Sequence, residues 1–190
     1  MPLITEEEYL ENMGRPDWPP PASLISSLYP EPQKDVDVYL VVVRSQVDPS
    51  QTIQSRDQHW MFQWNLEKRT SLGDPVYRRL QIVRERDING TGKLDHLTNW
   101  GAMTVAGETN ATEELVEILL KKMTMKERKE FEAISDATRV RKPDGNWNCQ
   151  DWCKSVLEAS VATGLLTEVE VNHVVMVAES IEPTHSRSVL

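Results

Sequence analysis

The hydrophobic pattern of this chain changes character three times along its length. From Val38 to Arg44 the residues are β-branched and almost wholly apolar, which predicts a central strand buried on both faces. His59 to Trp64 then alternates His59, Met61 and Gln63 against Trp60, Phe62 and Trp64, the period of two that defines a strand. Gly73, Asp74 and Pro75 form a turn, Tyr77 to Arg84 reads as a third strand, and Asn89-Gly90 supplies a second turn before a fourth strand over Leu94 to Val105. After Thr112 the spacing becomes helical. Leu115, Ile118, Leu119 and Met123 fall on one face of a helix begun at Thr112, and Thr124 to Ile134 reads as a charged surface helix. Asn148 caps a helix from about Cys149 to Ala162 that ends at Gly164, and a last helix runs from about Thr167 to Ser180. The fold class expected is α+β: an antiparallel meander of about four to five strands packed against C-terminal helices.

Seven of the eleven prolines fall within the first 37 residues, a density that forbids any long helix or central strand there. Residues 1–36 therefore read as a proline-rich arm with a short helix over Glu6 to Met13. Trp18, Leu24, Ile25, Leu28 and Tyr29 give that arm apolar side chains to pack with. Residues 37–182 form the single folded domain, and 183–190 read as a flexible tail. A chain of 190 residues with 39% hydrophobic content is long enough to bury its own core without staples.

Charge and cysteine usage narrow the function classes. A net charge of −9 works against a continuous basic surface, so nucleic acid is not an expected partner. Arg78, Arg79, Arg84 and Arg86 share their segment with Glu85 and Asp87 and read as a solvated strand edge rather than a phosphate site. The longest apolar run, Tyr39 to Val43, has strand length, far short of the roughly 20 residues a spanning helix needs, so no membrane association is expected. Two cysteines four residues apart make no disulfide framework, and the N-terminus lacks a basic segment followed by an apolar stretch, so a reducing, cytoplasmic setting is expected. Composition is silent on oligomeric state.

One pairing of residues suggests chemistry. Cys149 lies just after a capping position, where unpaired backbone N–H groups and the positive end of the helix dipole favour a thiolate and could hold an oxyanion. Cys153, one turn on, reads as a small buried apolar residue. The two cysteines have no matching ligand pair at close spacing, so neither a metal nor any other cofactor is expected. A thiol nucleophile needs a base, and of the four histidines only His59 stands on a clear strand. An incidental buried cysteine with a satisfied histidine is the alternative reading of the same residues.

Two strings carry a resemblance: Gln58-His59-Trp60-Met61-Phe62 and Trp147-Asn148-Cys149-Gln150-Asp151-Trp152. They resemble the strand histidine and the Asn-Cys helix start of circularly permuted papain-like proteins of the NlpC type. That superfamily includes the lecithin:retinol acyltransferase relatives and uncharacterised fungal proteins. The order of histidine strand before cysteine helix is the permuted one. The resemblance implies a cysteine-dependent hydrolase or acyltransferase acting on an amide, ester or thioester carbonyl of a small-molecule, acyl or peptide substrate. It assigns Cys149 as nucleophile and His59 as base, and puts Gln81 where such families place a second polar residue, often histidine. An amide orients an imidazole without supplying negative charge, so the base would be weaker. Trp60, Trp147, Asn148 and Trp152 are the candidate substrate contacts, with core packing under the sheet the favoured alternative for the three tryptophans. No C-terminal anchor of the kind found in some lipid-acting relatives is seen, so a bulk-membrane substrate is not implied. The competing function is a small-molecule binding or biosynthetic accessory protein, including a cyclase or isomerase, that uses the same cleft without a nucleophile.

Overall fold

In the computed structural model, residues 8–16, 28–44, 46–47, 55–85, 96–107 and 114–185 are described. Seven strands are present among them: β1 Val36–Arg44, β2 Gln46–Val47, β3 His59–Arg69, β4 Pro75–Glu85, β5 His96–Ala106, β6 Glu114–Met123 and β7 Thr184–His185. Three helices follow β6, namely α1 Met125–Ala137, α2 Cys149–Ala162 and α3 Glu168–Glu179. β1, β3, β4 and β5 are joined as a meander, and β6 returns to the free edge of β1, giving a five-stranded antiparallel sheet in the order β5-β4-β3-β1-β6. β2 and β7 form a separate two-stranded parallel pair. The architecture is α+β, with all three helices C-terminal to the main sheet.

Alternation decides what each face of the sheet does. On the helix-facing side, Val38, Leu40 and Val42 of β1 meet Trp60, Phe62 and Trp64 of β3, and Phe131, Trp152, Val156 and Leu157 close the core from the helices. Phe62 and Phe131 pack edge to face with centroids 4.9 Å apart, the geometry their ring quadrupoles prefer. The opposite side carries Val41, Val43 and Met61 as a smaller buried cluster, together with the polar members of the alternation. There Arg79 donates to Gln63 at 2.6 Å and Gln63 donates to Glu117 at 3.1 Å.

The segment expected to be a helix from Thr112 is instead strand β6. Its polar residues are good helix formers, but pairing with β1 over the whole span from Val36↔Met123 to Arg44↔Glu114 overrides that preference. A register shift opposite Val38 and Tyr39 changes the phase of alternation, so Ile118, Leu120 and Met123 all reach the core while Leu119 stays exposed. The strand imitates a helical spacing because Leu115 and Leu119 are apolar yet exposed on its outward side, and the phase change adds Met123 to the set. Residues 112 and 113 lie outside the described residues.

Two further expectations are corrected. Of the Glu6 to Met13 helix, the described part holds a short 3-10 turn, Glu11–Gly14, in which Asn12, Met13 and Gly14 all have positive φ. Gly14 is required there because a Cβ would come within 2.7 Å of the Leu97 carbonyl oxygen. Arg78 is no solvated edge residue either: it is 4% exposed, and its Nε lies 3.1 Å from Glu31 Oε1 and 3.3 Å from Glu132 Oε1. Arg128 of α1, fully buried, donates to the other Glu31 oxygen at 3.0 Å and to the backbone carbonyls of Pro32, Lys34 and Met123. Glu31 is thus the counter-charge two buried guanidinium groups share. Arg86 and half of the proline-rich arm, including Trp18, Leu24 and Ile25, lie outside the described residues, as does the tail beyond residue 185.

The helices start where expected. Thr124, Asn148 and Thr167 each form a reciprocal capping box with the residue three positions on, Glu127, Asp151 and Glu170 respectively. Gly164, at φ +78, ends the turn after α2.

Replacing Glu31 by alanine leaves Arg78 and Arg128 buried without their common partner. Denaturant unfolding of Glu31→Ala is expected to show a loss of about 3–5 kcal/mol, the usual cost of breaking a buried ion pair; a loss below about 1 kcal/mol would contradict the assignment of Glu31 as the core's counter-charge.

Candidate active site

The site is built on a gap in the sheet. Pairing between β3 and β4 runs from Arg69↔Pro75 to Phe62↔Leu80 and stops short of residues 59–61. β1 continues to pair with β3 as far as Val43↔His59, so one edge of the first turn of β3 is held and the other is vacated by β4. The head of α2 takes that vacated edge. Asn148 Nδ2 donates to the Arg56 carbonyl at 3.0 Å, and Gln150 Nε2 donates to the carbonyls of Ser55 and Gln58 at 2.7 and 2.9 Å. The Arg56 guanidinium in turn binds the Asp151 carboxylate and the Asn146 carbonyl. Gln58 and Trp60, two apart along an extended chain, present their backbone groups to the same edge. The Gln58 carbonyl lies 3.9 Å from Cys149 Sγ, and the Trp60 N–H is directed at the same sulfur.

This docking joins two residues 90 positions apart. The Cys149 thiol lies beside the His59 imidazole, near enough for each group to shift the other's titration. On the far side of the ring, His59 Nε2 lies 2.8 Å from Gln81 Oε1. An amide oxygen can only accept, so Nε2 carries a proton and Nδ1 is left for the sulfur. His59, Gln81 and Cys149 are therefore brought together in the order imidazole acceptor, imidazole, thiol. Both Cys149 and His59 remain partly exposed, while Cys153 is fully buried.

The electrostatics follow from this contact. Burial pushes the Cys149 thiol up, but the hydrogen bond and charge of His59, with the N–H groups of Trp60 and of Cys149 itself, outweigh it and hold the thiol below its ordinary value. Burial likewise disfavours the His59 imidazolium, yet the hydrogen bond and negative charge of Cys149, helped by Gln81, raise His59 above its ordinary value against a smaller opposing effect of Arg79. The two shifts are one fact seen from each partner: the charged form of each group favours the charged form of the other. Cys153, sealed in the apolar core, is driven well above the usual thiol value by burial.

At the helix head, the N–H of Gln150 and that of Asp151 both go to the Asn148 side chain, and the N–H of Trp152 goes to the Asn148 carbonyl. Cys149's own N–H is the one group of the first turn that the cap does not take, and it faces the thiol. The expectation that several helix-start N–H groups surround an oxyanion therefore narrows to this one.

The aromatic residues divide. Trp60 and Trp152 are 1% and 0% exposed and belong to the hydrophobic core, so of their two readings core packing holds and the ligand-facing wall is corrected. Trp147 is half-buried beside the helix head, and Asn148 is occupied in capping. Two other histidines stand apart. His96 bonds the Gly14 carbonyl at 2.8 Å, and His173 is exposed on α3. Among the described residues, no three His, Cys, Asp or Glu side chains are grouped to hold a metal ion. A polar cleft of about 480 Å³, lined by Lys34, Asp37, Asn65 and Lys122 among others, lies at the opposite end of β3. No helix of the described residues is long and apolar enough to cross a membrane.

Residues that the sequence left unassigned also shape the site. Arg56, Gln150 and the Trp60 N–H fix the helix head against the strand, and none of them had a signal in the sequence, which carried only the Asn148–Asp151 capping spacing beside them.

Because Cys149 is held below the ordinary thiol value and Cys153 above it, iodoacetamide at pH 6 is expected to alkylate Cys149 selectively, with Cys153 labelled only after denaturation. Peptide mapping of the adduct checks this, and comparable labelling of both in the folded protein would contradict it. His59→Ala removes the largest influence that lowers the thiol's pKa, so the same labelling at pH 6 should slow by about tenfold or more, one pH unit of thiolate population per factor of ten.

The chain matches no family model, and neither a curated protein nor a solved structure matches it, so what this site does is read from its own geometry.

Proposed function

We propose that the chain is a thiol-dependent hydrolase or acyltransferase, permuted papain-like in architecture, that acts on an amide, ester or thioester carbonyl. One observation carries this reading: a partly exposed thiol at a helix N-terminus lies beside an imidazole, each shifting the other's titration, and the ring's Nε2 is held by an amide oxygen. Nucleophile, base and orienting group in that sequence are the arrangement covalent acyl chemistry needs. The order of histidine strand before cysteine helix also agrees with the permuted superfamily resembled by the two sequence strings.

In this mechanism the Cys149 thiolate attacks the carbonyl carbon, forming a C–S bond while the carbonyl π electrons move to oxygen. The oxyanion is met by the Cys149 N–H. Collapse of the tetrahedral intermediate expels the leaving amine, alcohol or thiol, which takes its proton from the His59 imidazolium. Neutral His59 then removes a proton from water, giving hydrolysis, or from an acceptor nucleophile, giving transfer, and the second attack releases the acyl group and restores the thiolate. Gln81 is a positioning residue: its oxygen holds the Nε2 proton and so keeps Nδ1 towards sulfur. The competing idea of an aromatic binding pocket without a nucleophile loses its main support, since Trp60 and Trp152 are spent on the core.

A chromogenic p-nitrophenyl acetate assay tests the reading. Acetylation of Cys149, seen by peptide mapping, is expected in the wild type and absent in Cys149→Ser and His59→Ala. Gln81→Ala should retain the acyl-enzyme but lower turnover by about tenfold, the worth of one hydrogen bond of about 1.4 kcal/mol. An acetylation rate at Cys149 that is indifferent to His59→Ala would reject the mechanism.

A further inference from the structure

Gln150 follows the thiol in sequence yet turns inward: it is 4% exposed, and its side-chain amide donates to two backbone carbonyls, Ser55 O at 2.7 Å and Gln58 O at 2.9 Å. These carbonyls belong to the 3-10 turn Ser55–Asp57 and the residue after it, which deliver His59 into β3. The Gln58 carbonyl is also an acceptor for the Cys149 thiol, 3.9 Å from Sγ. That contact opposes activation. A thiol that donates to a carbonyl is held protonated, and a carbonyl oxygen facing a thiolate repels it. An N–H donor on the same oxygen occupies one of its acceptor sites, draws its electron density away from sulfur, and fixes its direction.

Resting on the reading that Cys149 is the nucleophile, we propose that Gln150 is a positioning residue for the Cys149–His59 pair, binding the Ser55–Gln58 turn to the head of α2 and diverting the Gln58 carbonyl from the thiol. The same side chain thus does two things. It sets the approach of strand to helix on which the imidazole–sulfur contact depends, and it withdraws a competitor for the sulfur's proton. Asn148 and Arg56 hold neighbouring points of the same seam, to the Arg56 carbonyl and to Asp151, but neither touches the Gln58 carbonyl.

Gln150→Met keeps the length and approximate volume of the side chain and removes both N–H donors. Iodoacetamide alkylation of Cys149, followed as a function of pH, is the readout, because simple loss of stability does not move its pH limb. The variant's limb is expected to lie about one pH unit higher than the wild type's, with alkylation at pH 6 about tenfold slower and the folded circular dichroism spectrum retained. A limb unchanged from wild type overturns the inference while the nucleophile reading stands. An ordinary thiol titration in the wild type, unaltered by His59→Ala, removes that reading and this inference with it. A measurement on the unmutated protein guards against a variant that does not fold: the Gln150 side-chain amide protons should exchange slowly and their NMR shifts should follow the Cys149 titration. Fast exchange with no titration overturns the proposal.

Discussion

The seam between the head of α2 and the unpaired first residues of β3 is the constraint on which the site depends. Antiparallel strands normally satisfy each other's backbone groups along both edges, and a strand that loses a neighbour must find other partners or expose its polar edge. β4 leaves β3 after Phe62↔Leu80, and the helix head supplies what β4 does not: Gln150 for the Gln58 carbonyl and the Cys149 sulfur for the Trp60 N–H. The thiol is thereby not merely near the strand but one of its hydrogen-bond partners. His59, the adjoining residue, places its imidazole beside the same sulfur.

Rigidity for this seam comes from elsewhere in the fold. Trp60 and Trp152 flank the site in sequence on the strand and on the helix, and both are sunk in the same core, so the elements that present His59 and Cys149 are fixed by adjacent side chains on the buried side. Further along, Glu31 gathers Arg78 of β4 and Arg128 of α1 into one buried cluster, tying the sheet to the first helix. Burying such charges is costly unless they are paired, and here Thr104 and Glu132 add to the partners of Arg78 while backbone carbonyls accept from Arg128. Precision at the thiol rests on the apolar packing; the ion cluster fixes the layers that carry it.

How much of this could be read from the residues differs by element. β1 and β3 were legible because their alternation and β-branching have no helical counterpart, and α2 because Asn148 and Gly164 mark both ends. β6 was not, since the exposed Leu115 and Leu119 beside the buried Ile118 have the spacing of a helix while non-local pairing decides the structure. Arg78 was misjudged for the same kind of reason: its partner Glu31 is 47 residues away in a proline-rich stretch, and nothing local announces the pairing. Cys149, His59 and Gln81 were nameable from types and strings, but their approach depends on where β4 stops pairing with β3, which no single segment encodes.

The central claim is that Cys149 and His59 share one proton in a way that makes the imidazole charged because the sulfur is. NMR of the His59 ring nitrogens at neutral pH, in the wild type and in Cys149→Ser, tests it most directly. The account predicts an imidazolium in the wild type that reverts to a neutral ring, protonated on the nitrogen facing Gln81, once sulfur is replaced. A neutral His59 in both proteins, indifferent to the substitution, would contradict it.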